Sequence, residues 1–349
     1  MQKMSFGKIK DGSECFCYEL KNHNGAYIRV TDFGATLVSV CVPDYEGKLR
    51  DVVLGYDSAS DYEENTCFFG AVIGRSGNRI EDSKFIINDT EYHMTANENA
   101  NNLHSGPDGF DNRIWTVKDW DDAHITFCLN SPDLDQGFPG EFHVEMTYGW
   151  NDDNELTFHY EGISDTDTVA NMTNHSYFNL NGHDSGEVTN QMLRLDADAF
   201  TPVKDSASIP TGEIAPVAGT PFDFTTAKAI GQDMEVENIQ LQYTSGFDHN
   251  FVIRKSKTGI ETFADAYSEE SKIGMTAKTD LPGVQFYAGN FIQGSAGKNQ
   301  AVYGKHHGFC LETQYFPNAV NEPSFASPVL KAGEKYDSTT KYCFYLKSE

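Results

Sequence analysis

Positive charge is scarce. Lys and Arg number 26 against 52 Asp and Glu in a chain of 349 residues, a formal net charge of −26. Nucleic acid and anionic lipid are normally held by clustered Lys and Arg, so both classes of partner are excluded. Long apolar runs are missing too: nowhere do about 18 apolar residues run together, so no helical membrane span is expected. Residues Met1-Gln2-Lys3-Met4-Ser5-Phe6-Gly7 lack the apolar stretch and cleavage site of an export signal, which makes a cytoplasmic location the expectation. The sequons at Asn88, Asn171 and Asn174 then read as chance matches. Paired cysteines are absent as well: there are seven, an odd count, with no Cys-x-x-Cys. Cys15 and Cys17 fall on one face of a strand, too extended for easy bridging. Cys41, Cys128, Cys310 and Cys343 sit in apolar stretches, where a free thiol behaves as a small hydrophobe. Reduced core thiols are predicted.

Helical periodicity is nearly absent. Residues 58–64 and 225–234 are read as short connectors, and nothing reaches four amphipathic turns. What fills the chain instead is a period of two, as in His143-Val144-Glu145-Met146-Thr147-Tyr148, Glu155-Leu156-Thr157-Phe158-His159-Tyr160 and Gln191-Met192-Leu193-Arg194-Leu195. Residues 36–42 and 124–129 are denser apolar runs and read as more fully buried strands. Turn clusters rich in Asn, Asp and Gly separate them, among them 44–47, 151–154 and 181–186. The class is all-β, a large antiparallel β-sandwich with few short helices. Length alone favours two domains. No Pro/Gly/Ser tract, charge block or repeat divides the chain, however, so residues 1–349 are read as a single domain.

Six polar and aromatic segments do not look like ordinary strands or turns. Gly74-Arg75-Ser76-Gly77-Asn78-Arg79-Ile80 lacks the Lys and Ser/Thr of a phosphate loop. Its Arg either pair with the protein's own carboxylates, or Asn78 and Arg79 form a donor array for an oxygen-rich ligand. Next come Asn101-Asn102-Leu103-His104-Ser105-Gly106 and Asn171-Met172-Thr173-Asn174-His175-Ser176-Tyr177-Phe178-Asn179-Leu180. A lone His is more often structural than catalytic, but His175 is flanked by Asn and Tyr, groups costly to bury without partners. Phe247-Asp248-His249, Pro282-Gly283-Val284-Gln285 and His306-His307-Gly308-Phe309-Cys310-Leu311-Glu312-Thr313-Gln314 complete the set. In the last, Glu312 and Gln314 share one face of a strand. No metal is expected: His-Glu-x-x-His and Cys/His ligand spacings are missing, and in a strand His306 and His307 point to opposite faces. There is no Gly-x-Ser-x-Gly elbow for a serine nucleophile.

Taken together and in this order, the six segments resemble the aldose 1-epimerase (galactose mutarotase) family, over roughly residues 25–345. The resemblance implies a galactose mutarotase-like supersandwich with an open sugar cleft, and no cofactor. It implies His175 as general acid, Glu312 as general base and His104 as a second imidazole at the reacting centre. Asn78, Arg79, Asp248, Gln285 and Tyr177 would hold a small-molecule aldose. Two positions depart from the common family pattern. Ser105 replaces a Gly and offers a hydroxyl near the site; Asn318 replaces an Asp and is expected to be peripheral. Three other readings remain open. Glycoside cleavage would need Asp248 and Glu312 to flank a bond, which leaves both histidines without a task. A binding protein would need no matched acid and base. A phosphosugar substrate would call for further cations, and Arg75 is the nearby candidate.

Overall fold

The stretches of period two become strands. Phe142–Trp150 and Glu155–Ser164 alternate between buried and more exposed residues along their whole length. Each therefore has one face on the core and one toward water. Residues 36–42 are buried throughout, as their dense apolar run predicts, whereas 124–129 are buried only in part. The computed structural model describes residues 1–348.

Three antiparallel sheets dominate. The first is a meander of Gln2–Lys8, Glu14–Lys21, Tyr27–Thr31, Leu37–Pro43 and Leu49–Asp51. The second has nine strands. Thr116–Trp120, His124–Ser131, Phe142–Trp150 and Glu155–Ser164 pair in chain order, and the long C-terminal strand Lys335–Leu346 joins this block to Ile273–Thr279 and Glu261–Tyr267. The third sheet has five strands, with Asp248–Val252, Gly283–Tyr287 and Cys310–Gln314 side by side at one end. One continuous apolar cluster joins all three sheets, through residues such as Ile28 and Val40, Met146 and Phe158, and Phe251, Phe286 and Leu311.

Two short α-helices, Ala59–Tyr62 and Ile239–Thr244, occur among the described residues. The first falls inside the predicted connector at 58–64. The second lies beyond the predicted connector at 225–234, which instead contributes a strand pairing of Lys228 with Leu193 and a set of turns. The helix begins at Asn238, whose side chain accepts the Gln240 backbone N–H, and stops at Ser245 in a left-handed conformation.

The thiols need a correction. All seven cysteines are free, but Cys67, Cys128 and Cys343 are only half-buried. Cys128 pairs with Glu145, on the solvent side of its strand, so the apolar neighbours in sequence belong to the opposite face. His306 and His307 lie in a turn rather than a strand. Asn171 and Asn174 are buried, which supports reading their sequons as chance.

Candidate active site

The third sheet has a polar face and an aromatic face, and its register decides which residues meet. Gln285 stands opposite Asn250 on one side and Glu312 on the other, while Tyr287 stands between Asp248 and Cys310. Asp248, Asn250, Gln285, Tyr287, Cys310, Glu312 and Gln314 thus share one face. Phe251, Val284, Phe286 and Leu311 point the other way into the core. Burial on both faces explains why these strands show continuous burial instead of alternation.

His175 reaches this face by a separate route. Phe178 and Phe309 exchange backbone hydrogen bonds at 2.8 and 3.0 Å, so the chain running back from Phe178 passes beside Cys310 and then Glu312. His175 Nε2 lies 3.6 Å from Glu312 Oε2, and both side chains are buried. Tyr177 stacks on the imidazole at 5.0 Å between ring centres, and Phe68 does so from 5.8 Å. His104 approaches edge-on at 5.3 Å.

His104 and Asn78 are held by each other. Both have left-handed backbone, with φ of 52° and 59°. The His104 N–H donates to the Asn78 carbonyl and the Asn78 N–H donates to His104 Nδ1, each at 3.1 Å. A ring nitrogen that accepts a backbone N–H cannot carry hydrogen itself, so the neutral imidazole has its hydrogen on Nε2. His104, His175 and Glu312 offer donor atoms within 4.8 Å of one another, a spacing that a metal ion can bridge. Metal-bound histidines instead donate their second ring N–H to an acceptor. The Asn78 contact is the reverse, and the donor set fits a metal poorly.

These residues line a cavity of about 200 Å³ together with Arg79, Asp248, Gln285, Tyr177, Tyr287 and Phe291. All eight residues singled out in the sequence reach it. Several others were missed. Glu98 holds Arg79 with two bonds, at 2.6 Å to Nε and 2.9 Å to Nη2. Gln285 Nε2 donates to Asp248 Oδ1 at 2.7 Å, and Gln314 Nε2 donates to both Gln285 Oε1 and Asn250 Oδ1 at 3.3 and 3.2 Å. Phe68, Cys67 and Thr66 complete the wall. Glu98 stands in a loop with no motif around it; strand alternation put Gln314 on the Glu312 face but did not give Gln285 as its partner.

Arg75 takes the structural reading, with a change of partner. Its guanidinium is buried and donates to the carbonyls of Ser131, Pro132 and Pro139 and to the hydroxyls of Ser131 and Thr168. It is unavailable to a phosphate. Ser105 also turns away: its hydroxyl donates to the Ser76 carbonyl and accepts the Ser76 N–H, so it brings nothing to the cavity. Asn318 is outside the cavity, but its N–H donates to the Arg79 carbonyl and its Oδ1 accepts the Glu81 N–H.

Burial governs the charges. It pushes His175 down to about 3, with the Arg79 charge acting in the same direction. His104 is lowered as well, by burial and then by His175 and Arg79. Glu312 is raised well above the ordinary carboxyl value by burial and the Asp248 charge, against the pull of Arg79. Asp248 is raised by burial, with Arg79 and Gln285 opposing. Both directions disfavour the charged forms, and Glu312 Oε2 has no hydrogen-bond partner among the described residues, so imidazole and carboxyl face each other across 3.6 Å. Burial thereby raises the proton affinity of Glu312 and lowers that of His175.

Fold and cleft together define an all-β sandwich protein built around a buried His–Glu pair. The aldose 1-epimerase family model matches residues 17–343, and the chain belongs to that family. It is 42% identical to a galactose mutarotase of Sus scrofa over 318 residues, 91% of this chain and 90% of the relative. Identity is 36% over 336 residues to an aldose 1-epimerase of Escherichia coli, 96% of each chain. Among solved structures, an aldose epimerase homologue from C. elegans superposes with a TM-score of 0.89 at 31% identity, covering 95% of this chain and 99% of that one. A galactose 1-epimerase from Lactobacillus acidophilus gives 0.86 at 27% identity, covering 99% of both chains.

Proposed function

We propose that the protein is an aldose 1-epimerase, an isomerase that interconverts the α and β anomers of free aldohexoses such as D-galactose and D-glucose and so feeds hexose metabolism. The observation that carries the reading is the His175–Glu312 pair at 3.6 Å, buried in a polar cavity ringed by sugar-sized donors and acceptors. Its seven free cysteines support a reducing compartment, the cytoplasm.

Anomer exchange needs the ring to open, the C1–C2 bond to rotate and the ring to close on the other face of the aldehyde. Opening removes the C1 hydroxyl proton and delivers a proton to the ring oxygen as the C1–O5 bond breaks. With one proton on the pair, carried by His175 Nε2, Glu312 takes the first proton and His175 supplies the second. The pair holds one proton before and after, so no exchange with solvent is required, and closure runs the same transfers in reverse. Each such transfer contributes on the order of 10²–10⁴ in rate. His104, with hydrogen on Nε2, is a donor that steadies the developing carbonyl oxygen. Arg79, Asn78, Asp248 and Gln285 hold the remaining hydroxyls and leave C1 free to turn. Asp248 is already bonded by Gln285 Nε2 at 2.7 Å, which disfavours its use as the second carboxylate of a glycosidase.

The test is the optical rotation of freshly dissolved α-D-galactose in a weakly catalysing buffer. Protein should speed the approach to an unchanged final rotation. Glu312→Gln should lose at least about 10²-fold in kcat; wild-type turnover in that variant would refute the mechanism.

A further inference from the structure

One strand supplies a partner to each nitrogen of the His175 ring. Glu312 faces Nε2 at 3.6 Å, and two residues earlier Cys310 Sγ lies 3.6 Å from Nδ1. Cys310 and His175 are both buried, and beside the backbone of His175 itself Cys310 is the side-chain partner at Nδ1. The stacking of Tyr177 and Phe68 keeps the ring in its plane but does not choose which nitrogen faces the cleft.

We propose that Cys310 is the positioning residue for His175, its sulfur accepting the Nδ1–H so that Nε2 is turned to Glu312 and the sugar ring oxygen. The inference rests on the reading of His175 as the acid. For Nε2 to take up a proton it must first present a lone pair, which places the ring hydrogen on Nδ1. That hydrogen then has the sulfur as its acceptor, in the neutral ring and in the imidazolium alike. Sulfur is a weak acceptor. Burial, with the Glu312 and Asp248 charges, pushes the Cys310 thiol well up, so it stays neutral. A carboxylate at this place would stabilise the imidazolium and make it a poorer donor to the weakly basic ring oxygen. A thiol orients the ring without that effect. The other titratable groups facing His175 are Arg79 and His104, which oppose a positive ring, Glu312, which favours one, and the phenols of Tyr177 and Tyr287.

The experiment uses the full chain. In ¹⁵N spectra of the wild type, neutral His175 should have Nδ1 protonated and Nε2 unprotonated; the opposite tautomer would overturn the proposal. Cys310→Ala should lower kcat on the order of tenfold with KM changed less than about twofold. Cys310→Ser should recover most of that loss and shift the His175 titration upward, because a hydroxyl is the stronger acceptor. Packing alone would not move the titration, so an unshifted value in the Ser variant counts against the proposal, as does an unchanged kcat in the Ala variant. Should Cys310→Ala fail to fold, the wild-type tautomer and the Ser variant still decide. Full activity in His175→Ala would instead sink the assignment of the acid, and with it this inference, without bearing on the measured tautomer.

Discussion

At the scale of single residues, the cleft works through burial. Free imidazole and carboxyl groups would share one proton only between their ordinary values, about 4.3 for Glu and about 6.5 for His. Here burial lowers His175 to about 3 and raises Glu312, which extends the one-proton window on its acid side. The signs follow. As pH falls through the lowered His175 value the pair gains a second proton and loses its base; as pH rises through the raised Glu312 value it loses its only proton. The acid limb of kcat/KM for galactose should therefore lie well below the ordinary His value of about 6.5. An acid-side limb near 6.5 would refute this account. His175 stood out as a polar group inside strand-like sequence, but the roles of His175, Glu312 and His104 were legible only through the resemblance of six segments in order to the aldose 1-epimerase family. Glu98 was not. Its bond to Arg79 joins a loop to a short strand 19 residues away in a chain with 52 acidic residues, and nothing local marks it from the others.

At the scale of elements, the period of two was a reliable guide where one face meets water, as in Phe142–Trp150, and a poor one where both faces are covered. The strand Gly283–Tyr287 is buried at every position, because one face lines the cleft and the other packs on Phe251 and Leu311. Short helices were hard to read for another reason: Ile239–Thr244 has six residues, too few to display an amphipathic repeat, and its Asn cap resembles any turn residue. Gly283 shows how closely the cleft sheet is packed. A Cβ there would lie 2.6 Å from Asn250 Oδ1 and 2.7 Å from Phe316 Cδ1. Since Asn250, Gln314 and Gln285 form one chain of amides ending on Asp248, moving the first disturbs the last. Gly283→Ala should cost about 1–3 kcal/mol in urea denaturation and raise KM for galactose more than it lowers kcat. A variant with native stability and native KM would show that the amide chain tolerates the shift.

At the scale of the whole molecule, the cleft belongs to no single part of the chain. Asn78 and His104 come from loops near the N-terminal sheet, His175 from a segment in mid-chain, and Glu312 from the last strand of the third sheet. The apolar cluster crosses every possible boundary: Val40 of the first sheet, Met146 of the second and Phe286 of the third are members of one contiguous core. The absence of a linker was visible in the sequence; the merging of three sheets was not, because periodicity reports which face is apolar and never which sheet it will meet. We propose that residues 1–349 form one cooperative unit. A domain boundary is a place where few contacts cross, and a continuous core gives none. Calorimetry should show one transition whose calorimetric and van't Hoff enthalpies agree, with mutarotase activity lost at the same midpoint as near-ultraviolet dichroism. If the N-terminal meander melted first while activity persisted, the cleft would not depend on that sheet and the chain would have to be divided near Asp51.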